Sequence, residues 1–483
     1  MQYSKARSFK ISTLLFPLFL IAGTINATAG GKIKAYFNNP VNNAVATIEN
    51  AVYLPNGTMG DTIVAYINRA KYTIDIAQYD YTQDTYDGAY ANIAAAVDSA
   101  HARGVTVRWI YDGSSSNSGL HSLDTTIPTL GRPVSSGIMH NKFIIIDAYT
   151  PNAGDAILCT GSEDWSSEMI HKDFNNILFI QDSALAHAYT DEFNLMWGST
   201  TDTPNVANSK FGPAKTDLGR HTFYIDGSLV ELYFSPTDNT TNHILTSIAS
   251  ANTDLYAGVY CMTQSAMATN IVAKKTSGVY TLVIVDEYTY TASPGVYSIL
   301  TAGLGAGFKT YSGAYIYHNK MMIVDPSDTC SDPQVLTGSH NWTSSANDDN
   351  DENTLIIHNP AIANDYYQSF YANFTSLSGT LNSVNGCGTT GIQQPTAGGE
   401  TVAIYPNPSN GEISIGYQLT ATLNIAVEIF NIIGSKIAQV TENELQNPGL
   451  HTYNLSLDKP GIYFARFTFG NEQYTKKIVV TGN

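Results

Sequence analysis

Two rhythms of apolar residues alternate along most of this chain. Runs such as "TIVAYINRA" and "AYANIAAAVDSAHARG" place apolar residues at helical spacing, whereas "YTIDIAQY" and "VTVRWIYD" read as strands. A denser apolar run follows, "IMHNKFIIID" from Ile138 to Asp147, then "AILCTGSEDW", "NNILFI" and a helix over "SALAHAYTDEFNLMW". The same order recurs in "HILTSIASAN", "DLYAGVY", "QSAMATNIVAKK", "YTLVIVD", the dense "YIYHNKMMIVD" of Tyr315–Asp325, "QVLTGSHNW", "ENTLII" and "AIANDYYQSFYANF". Strands alternating with helices predict α/β units around a largely buried mixed sheet. His318 lies 178 positions after His140, so the repeat is a whole lobe, a tandem duplication and not a short solenoid unit.

Both ends of the chain break this rhythm. A polar Gly/Thr/Pro stretch, Gly386 to Glu400, reads as a linker, and beyond it short alternating runs separated by turn residues predict an all-β sandwich. At the start, Lys5, Arg7 and Lys10 precede an apolar run from Ile11 to Gly23 and a small-residue site at Ala27-Thr28-Ala29. That order reads as a secretory signal, and the run is too short for a comfortable membrane anchor. The expected organisation is a signal peptide at 1–29, lobes at 30–212 and 213–385, a linker at 386–400 and a sandwich at 401–483.

Export changes how the cysteines read. Cys159, Cys261, Cys330 and Cys387 suit disulfides in an oxidising compartment or, equally, buried free thiols. They lack the CxxC spacing of a zinc site. The formal charge is −17, and loss of residues 1–29 removes three cations and no anion, leaving −20. Such a surface repels polyanions unless a local basic patch compensates, which counts against a general nucleic-acid binder.

The dense runs carry the chemistry. Residues two apart on a strand share a face, so His140 with Lys142, and His318 with Lys320, point the same way. An imidazole serves as nucleophile or acid–base near neutral pH, and an ammonium beside it stabilises developing negative charge. Asp147 and Asp325 lie an odd number of positions from these residues, on the opposite face of a regular strand, and read as structural or supporting groups. Further on, Ser162, Ser339 and Asn341 can donate hydrogen bonds to phosphate oxygens. Nothing has the form of a metal box, and no cofactor is implied. A lone histidine on an apolar strand is usually a core residue. Two copies at equivalent places, each followed by Gly-Ser-x-x-Trp, point instead to metal-independent phosphoryl transfer through a phosphohistidine. Trp165 and Trp342 read as packing residues. The acidic run Asn347–Asn353 reads as a solvated loop or, alternatively, a Ca²⁺ ligand set.

The pair "HNKFIIID" and "HNKMMIVD", each followed by "TGS", resembles the phospholipase D superfamily with its two HKD motifs, over roughly residues 32–385. The resemblance implies two similar lobes sharing one site. One histidine attacks phosphorus, the other protonates the leaving group, and no cofactor takes part. By analogy His140 is the nucleophile and His318 the acid, with Lys142, Lys320, Asp147 and Asp325 completing the motifs. Asn341 and Glu352 resemble the family's phosphate donor and its histidine-orienting carboxylate, whereas the first half has Asp164 and Asn175 in those places. The C-terminal stretch Thr401–Asn483, with "YPNPSNG" and "GIYFARFTFGNEQYTKKIVV", resembles the sorting domain of the bacterial type IX secretion system. That implies the secretion machinery as a partner and an extracellular or cell-surface location; an adhesion or carbohydrate-binding module is the alternative. Secretion and an acidic surface favour a phospholipid substrate at a membrane surface. A secreted endonuclease is the second reading, if Lys172, Lys210, Lys215, Arg220, Lys274, Lys275 and Lys309 converge on the site. A catalytically silent surface protein is the third, disfavoured by the intact motifs.

Overall fold

The computed structural model describes residues 31–82, 89–328 and 331–382, and residues 402–480 with gaps at 406–408, 410, 420, 458 and 471. The signal peptide at 1–29, the linker at 386–400, Cys330 and Cys387 lie outside the described residues. Cys159 and Cys261 are buried free thiols.

Eight strands form the first sheet: β1 (Ile33–Phe37), β2 (Val52–Tyr53), β3 (Thr73–Gln78), β4 (Thr106–Asp112), β5 (Thr129–Arg132), β6 (Lys142–Ile146), β7 (Ile157–Gly161) and β8 (Asn176–Ile180). Their spatial order is β2-β1-β8-β7-β6-β3-β4-β5. The second sheet contains β9 (Thr222–Ile225), β10 (Ser228–Ser235), β11 (Asp254–Val259), β12 (Tyr280–Asp286), β13 (Phe308–Tyr311), β14 (Lys320–Val324), β15 (Gln334–Gly338) and β16 (Glu352–His358). Its order is β13-β12-β11-β14-β15-β16-β10-β9. Read from opposite ends, β1-β8-β7-β6-β3-β4-β5 matches β10-β16-β15-β14-β11-β12-β13, so the duplication seen in the sequence is a duplication of topology. Both sheets are mixed. β3 pairs parallel with β4 and antiparallel with β6, as β11 does with β12 and β14.

The dense apolar strands β6 and β14 are buried at every position, because helices cover both faces of each sheet. The helix Ser183–Trp197 follows β8, capped by Asp182, which accepts from the Leu185 amide; Pro360–Ser376 follows β16, capped by Asn359. These two helices and the facing sides of both sheets form one apolar core shared by the lobes, with Phe143, Tyr189 and Trp197 from one and Tyr256, Phe370 and Phe374 from the other. Each sheet buries its other face in a core of its own, which takes in Trp165 or Trp342, as expected for packing residues.

β6 and β14 also settle where the motif carboxylates go. Asp147 and Asp325 stand beyond the far ends of these strands, in left-handed backbone at φ 52° and 49°, a region that Asp tolerates better than most residues. The Asp147 carboxylate accepts from the amides of Lys71, Tyr72 and Thr73 at 2.7–2.9 Å. Asp325 accepts from Asn252, Thr253 and Asp254 at 2.8–3.1 Å. They tie the turn before the neighbouring strand and hold no place beside the imidazoles.

The acidic run Asn347–Asn353 is not one solvated loop: Asp348 is exposed at the end of a short helix, whereas Asp351, Glu352 and Asn353 are fully buried where the lobes meet.

After the lobes come β17 (Val402–Tyr405), β18 (Glu412–Leu419), β19 (Leu423–Asn431), β20 (Lys436–Gln446), β21 (Gly449–Ser456), β22 (Gly461–Phe469) and β23 (Glu472–Val480). They make two sheets, β17-β18-β21 and β20-β19-β22-β23, with the alternate inward residues of β19 and β22 in the core. No described helix is long and apolar enough to cross a membrane.

Candidate active site

His140 precedes β6 and His318 precedes β14, and each ring is held from the opposite lobe. His140 Nδ1 is 2.7 Å from Glu352 Oε2, at the start of β16. His318 Nδ1 is 3.0 Å from Asn175 Oδ1, just before β8. Since those oxygens accept, Nδ1 carries the proton and Nε2 holds the free lone pair. Both rings are buried, as are Lys142 and Lys320. Each ammonium donates to the carbonyl of its own histidine, Lys142 at 3.0 Å and Lys320 at 2.6 Å. Each also lies over a tyrosine ring, Tyr79 at 5.0 Å and Tyr260 at 5.2 Å from the centroid. Those rings contact the imidazoles in turn, with centroids 4.9 and 5.2 Å apart.

The serines of the two "TGS" loops do not direct their protons at a substrate. Ser162 Oγ donates to Asn175 Oδ1 at 2.8 Å, and Ser339 Oγ donates to Glu352 Oε2 at 2.6 Å. Each hydroxyl accepts from the next amide along, Asn176 or Asn353, at 3.1 and 3.0 Å. The residues expected to grip phosphate thus brace the residues that orient the imidazoles. Asn341 is half-buried, and its carboxamide oxygen hydrogen-bonds nothing among the described residues. Asn176 and Asn353 extend the lattice across the lobes: Asn176 bonds Asn319, Thr337 and Tyr366, and Asn353 donates to Thr160 and Tyr189.

Backbone pairing sets each histidine's approach. Met139 N donates to Asp112 at 2.6 Å, and Tyr317 N donates to Asp286 at 2.9 Å. The segment before His140 pairs with Asp351 (His140 N to Asp351 O, 2.9 Å), and Phe174 N donates to Ile316 O at 2.8 Å. Gly137 permits the first approach, since a Cβ there would lie 2.1 Å from the Asp349 carbonyl oxygen. Asp112, Asp286, Tyr79 and Tyr260 are site residues that lie outside both motifs. Aligning the two halves, "AQYDY" with "GVYCM" and "WIYDG" with "VIVDE", would have found them.

The electrostatics follow from burial. Burial, then the charges of Lys320, Lys142 and His140, hold the His318 imidazole well below its ordinary range. Burial and the neighbouring Lys142 likewise push the Lys320 ammonium down, against the pull of Asp164 and Glu352. Burial would raise Glu352, but the charge and hydrogen bond of His140 outweigh it and bring the carboxyl to about 2. Among the described residues, the side chains grouped closely enough to hold a metal ion together are Asp217, His221 and Asp238, none of them part of this site.

Residues 63–197 and 244–373 match the family described as "Cardiolipin synthase, PLD-like domain". Residues 403–481 match "Secretion system C-terminal sorting domain". Over 181 residues the chain is 28% identical to a phospholipase D of Rickettsia prowazekii (strain Madrid E), a stretch covering 37% of this chain and 84% of the relative. It is 28% identical over 157 residues to the mitochondrial cardiolipin hydrolase of Drosophila melanogaster, covering 29% and 59%. Among solved structures, phosphatidylserine synthase from Haemophilus influenzae Rd KW20 aligns over 73% of this chain and 87% of that one at 13% identity, with a TM-score of 0.49. The chain belongs to the phospholipase D-like family of phosphodiesterases, with the family's unit present twice and a C-terminal sorting domain that marks it for export.

Proposed function

We propose that this protein is a secreted or surface-displayed phospholipase D that hydrolyses a phospholipid headgroup ester without a metal. His140 Nε2 attacks phosphorus, the bond to the headgroup oxygen breaks, and His318 supplies the proton that leaves with the alcohol. His318, now neutral, takes a proton from water. The hydroxide displaces His140 from phosphorus, leaving a phosphate monoester and restoring both rings. Lys142, Lys320 and Asn341 hold the phosphate oxygens. Glu352 and Asn175 are positioning residues, Ser162 and Ser339 brace them, and Asp147 and Asp325 hold the strand ends.

The observation that carries this reading is the crossed orientation of the two imidazoles, each held at Nδ1 by the other lobe. In-line displacement needs a nucleophile and an acid on opposite sides of one phosphorus, and two lobes holding each other's histidines provide that. The difference between the partners supports the order of roles. The carboxylate of Glu352 stabilises the positive charge that His140 acquires when it becomes phosphorylated, whereas the neutral Asn175 leaves His318 ready to give up its proton.

The phospholipid substrate draws support from the relatives' names and from four of the seven basic residues that a nucleic-acid groove would need. Lys215 is buried between Glu192 and Asp351 at 2.5 and 2.9 Å. Arg220 pairs with Asp191 at 3.4 Å. Lys274 and Lys275 cap the carbonyls of Ala251 and Leu304. The test is to assay the exported chain, in excess EDTA, on phosphatidylcholine vesicles and on single-stranded DNA. Choline release with phosphatidic acid as co-product is expected. Efficient DNA cleavage with intact vesicles would replace this reading by the endonuclease one.

A further inference from the structure

The two loops after β7 and β15 read Thr160-Gly-Ser-Glu-Asp-Trp and Thr337-Gly-Ser-His-Asn-Trp, so Asp164 stands where the other half has Asn341. Asp164 is buried, and its Oδ1 lies 2.9 Å from Lys142 Nζ. The pair is a contact of charges without an aligned hydrogen bond, since that oxygen receives no donor and the ammonium donates to the His140 carbonyl. Lys320, in the other half, makes no ion pair among the described residues. One lysine of the cleft therefore carries its own counter-ion and the other does not.

The charges can be counted. Lys142 and Lys320 supply two positive charges, and Asp164 and Glu352 supply two negative ones. These four charges cancel while His318 is neutral, the form that its burial favours. A phosphodiester then brings one surplus negative charge, and a phosphate monoester, a dianion above its second ionisation near pH 6, brings two, which burial makes costlier. The Asp164 carboxylate repels the dianion twice as strongly as a monoanion at the same distance. With a neutral amide at position 164, as at Asn341, that added repulsion would be gone. Asp80, which acts electrostatically with both Asp164 and Lys142 from the neighbouring loop, adds to the negative side.

We infer that Asp164 sets the charge this site accepts: it admits the monoanion of a phosphodiester and turns away the dianion of a phosphate monoester or inorganic phosphate. The consequence concerns product as much as substrate. Hydrolysis converts a diester into a monoester, so the carboxylate speeds the departure of the product formed beside it. The inference rests on the phosphodiesterase reading but not on whether the diester is lipid or nucleic acid.

Two probes test it on the exported chain at pH 8, with bis(p-nitrophenyl) phosphate as the diester substrate. Inorganic phosphate serves as the dianionic inhibitor and dimethyl phosphate as the monoanionic one. In the wild type, dimethyl phosphate should inhibit at least as well as inorganic phosphate. In Asp164→Asn the inhibition constant for inorganic phosphate should fall by on the order of tenfold or more, with a smaller change for dimethyl phosphate. A wild type that binds inorganic phosphate tightly, or an Asp164→Asn variant with an unchanged ratio of the two constants, overturns the inference. Should the Asn variant not fold, Asp164→Ser gives the same ratio, and the wild-type constants alone can still contradict the inference. If no diester is hydrolysed, the phosphodiesterase reading fails separately, and calorimetric titration with the two anions still decides the charge preference.

Discussion

The two halves of this site share a plan and differ in material. Around His140 the support is ionic. Glu352 holds the ring, and Asp351 beside it is gripped by Arg132 at 2.8 Å and Lys215 at 2.9 Å, with the Gly212 amide donating at 2.7 Å. Around His318 the group on the ring is neutral and its neighbour aromatic, while the carboxylates of Asp173 and Asp286 hold backbone amides. Asn175 holds the ring, and Phe174, in the place of Asp351, packs against Tyr311 and Tyr317 with centroids 5.0 and 5.8 Å apart. The two lobes carry imidazoles at equivalent places, and the proposed reaction needs unequal ones. The difference lies one residue away from the rings, in whether each partner carries a charge.

The largest test of the comparison asks whether both halves are needed. His140→Asn and His318→Asn should each reduce diester turnover on the order of 10⁴-fold or more, since each removes a group that exchanges a bond or a proton with the substrate. Circular dichroism should show the fold intact. Near-normal turnover in either single variant would contradict a shared site.

Next in size is the stability of the two supports. Asp351→Asn leaves Arg132 and Lys215 buried with less than their counter-charge and should cost about 3–5 kcal/mol in denaturant unfolding of the lobes. Phe174→Ala removes a half-buried ring and should cost about 1–3 kcal/mol, below the range for a fully buried phenylalanine. The reverse order would mean that the aromatic half, not the ionic one, holds the lobes together.

Smaller still is the effect of the positioning residues on rate. A hydrogen bond to a charged partner is worth about twice one between neutral groups, so Glu352→Gln should lower kcat about 100-fold and Asn175→Ala about tenfold, with KM little changed. Equal losses would remove the assigned order of roles.

Much of this was legible in the sequence, for identifiable reasons. The dense strands announce their burial by composition, the alternation of β19 and β22 announces a sandwich, and the repeat of "HNK" and "TGS" announces a double site. What stayed hidden depends on residues far apart in the chain. Glu352 lies 212 positions from His140, so no local pattern shows that each ring is held by the other lobe. The acidic run around Asp351 resembles a solvated loop because Arg132 and Lys215, which compensate it, come from distant segments. Ser162 and Ser339 have the chemistry of phosphate donors, but their hydroxyls are taken by the residues behind the rings. β1 and β10 carry no motif and no repeat of their own, and are strands by pairing antiparallel with β8 and β16.

The subtlest prediction concerns pH. As the acid of the first step, His318 must carry a proton on Nε2. Burial and the charges of Lys320, Lys142 and His140 favour its neutral form, and Asn175 offers no anion to oppose them. The protonated fraction therefore falls tenfold per pH unit from a point below neutrality. The kcat/KM of the wild type should decline with slope −1 as pH rises through the neutral range. Glu352, at about 2, stays ionised throughout and sets no limb there. Asn175→Asp would place a carboxylate against Nδ1, favour the imidazolium, and move the declining limb upward by about one to three pH units. The same change should not slow the second step, in which His318 takes a proton from water and ends protonated. A limb that stays in place in Asn175→Asp, or a wild-type kcat/KM that rises through neutrality, would show that His318 is not the acid, and the roles of the two halves would have to be exchanged.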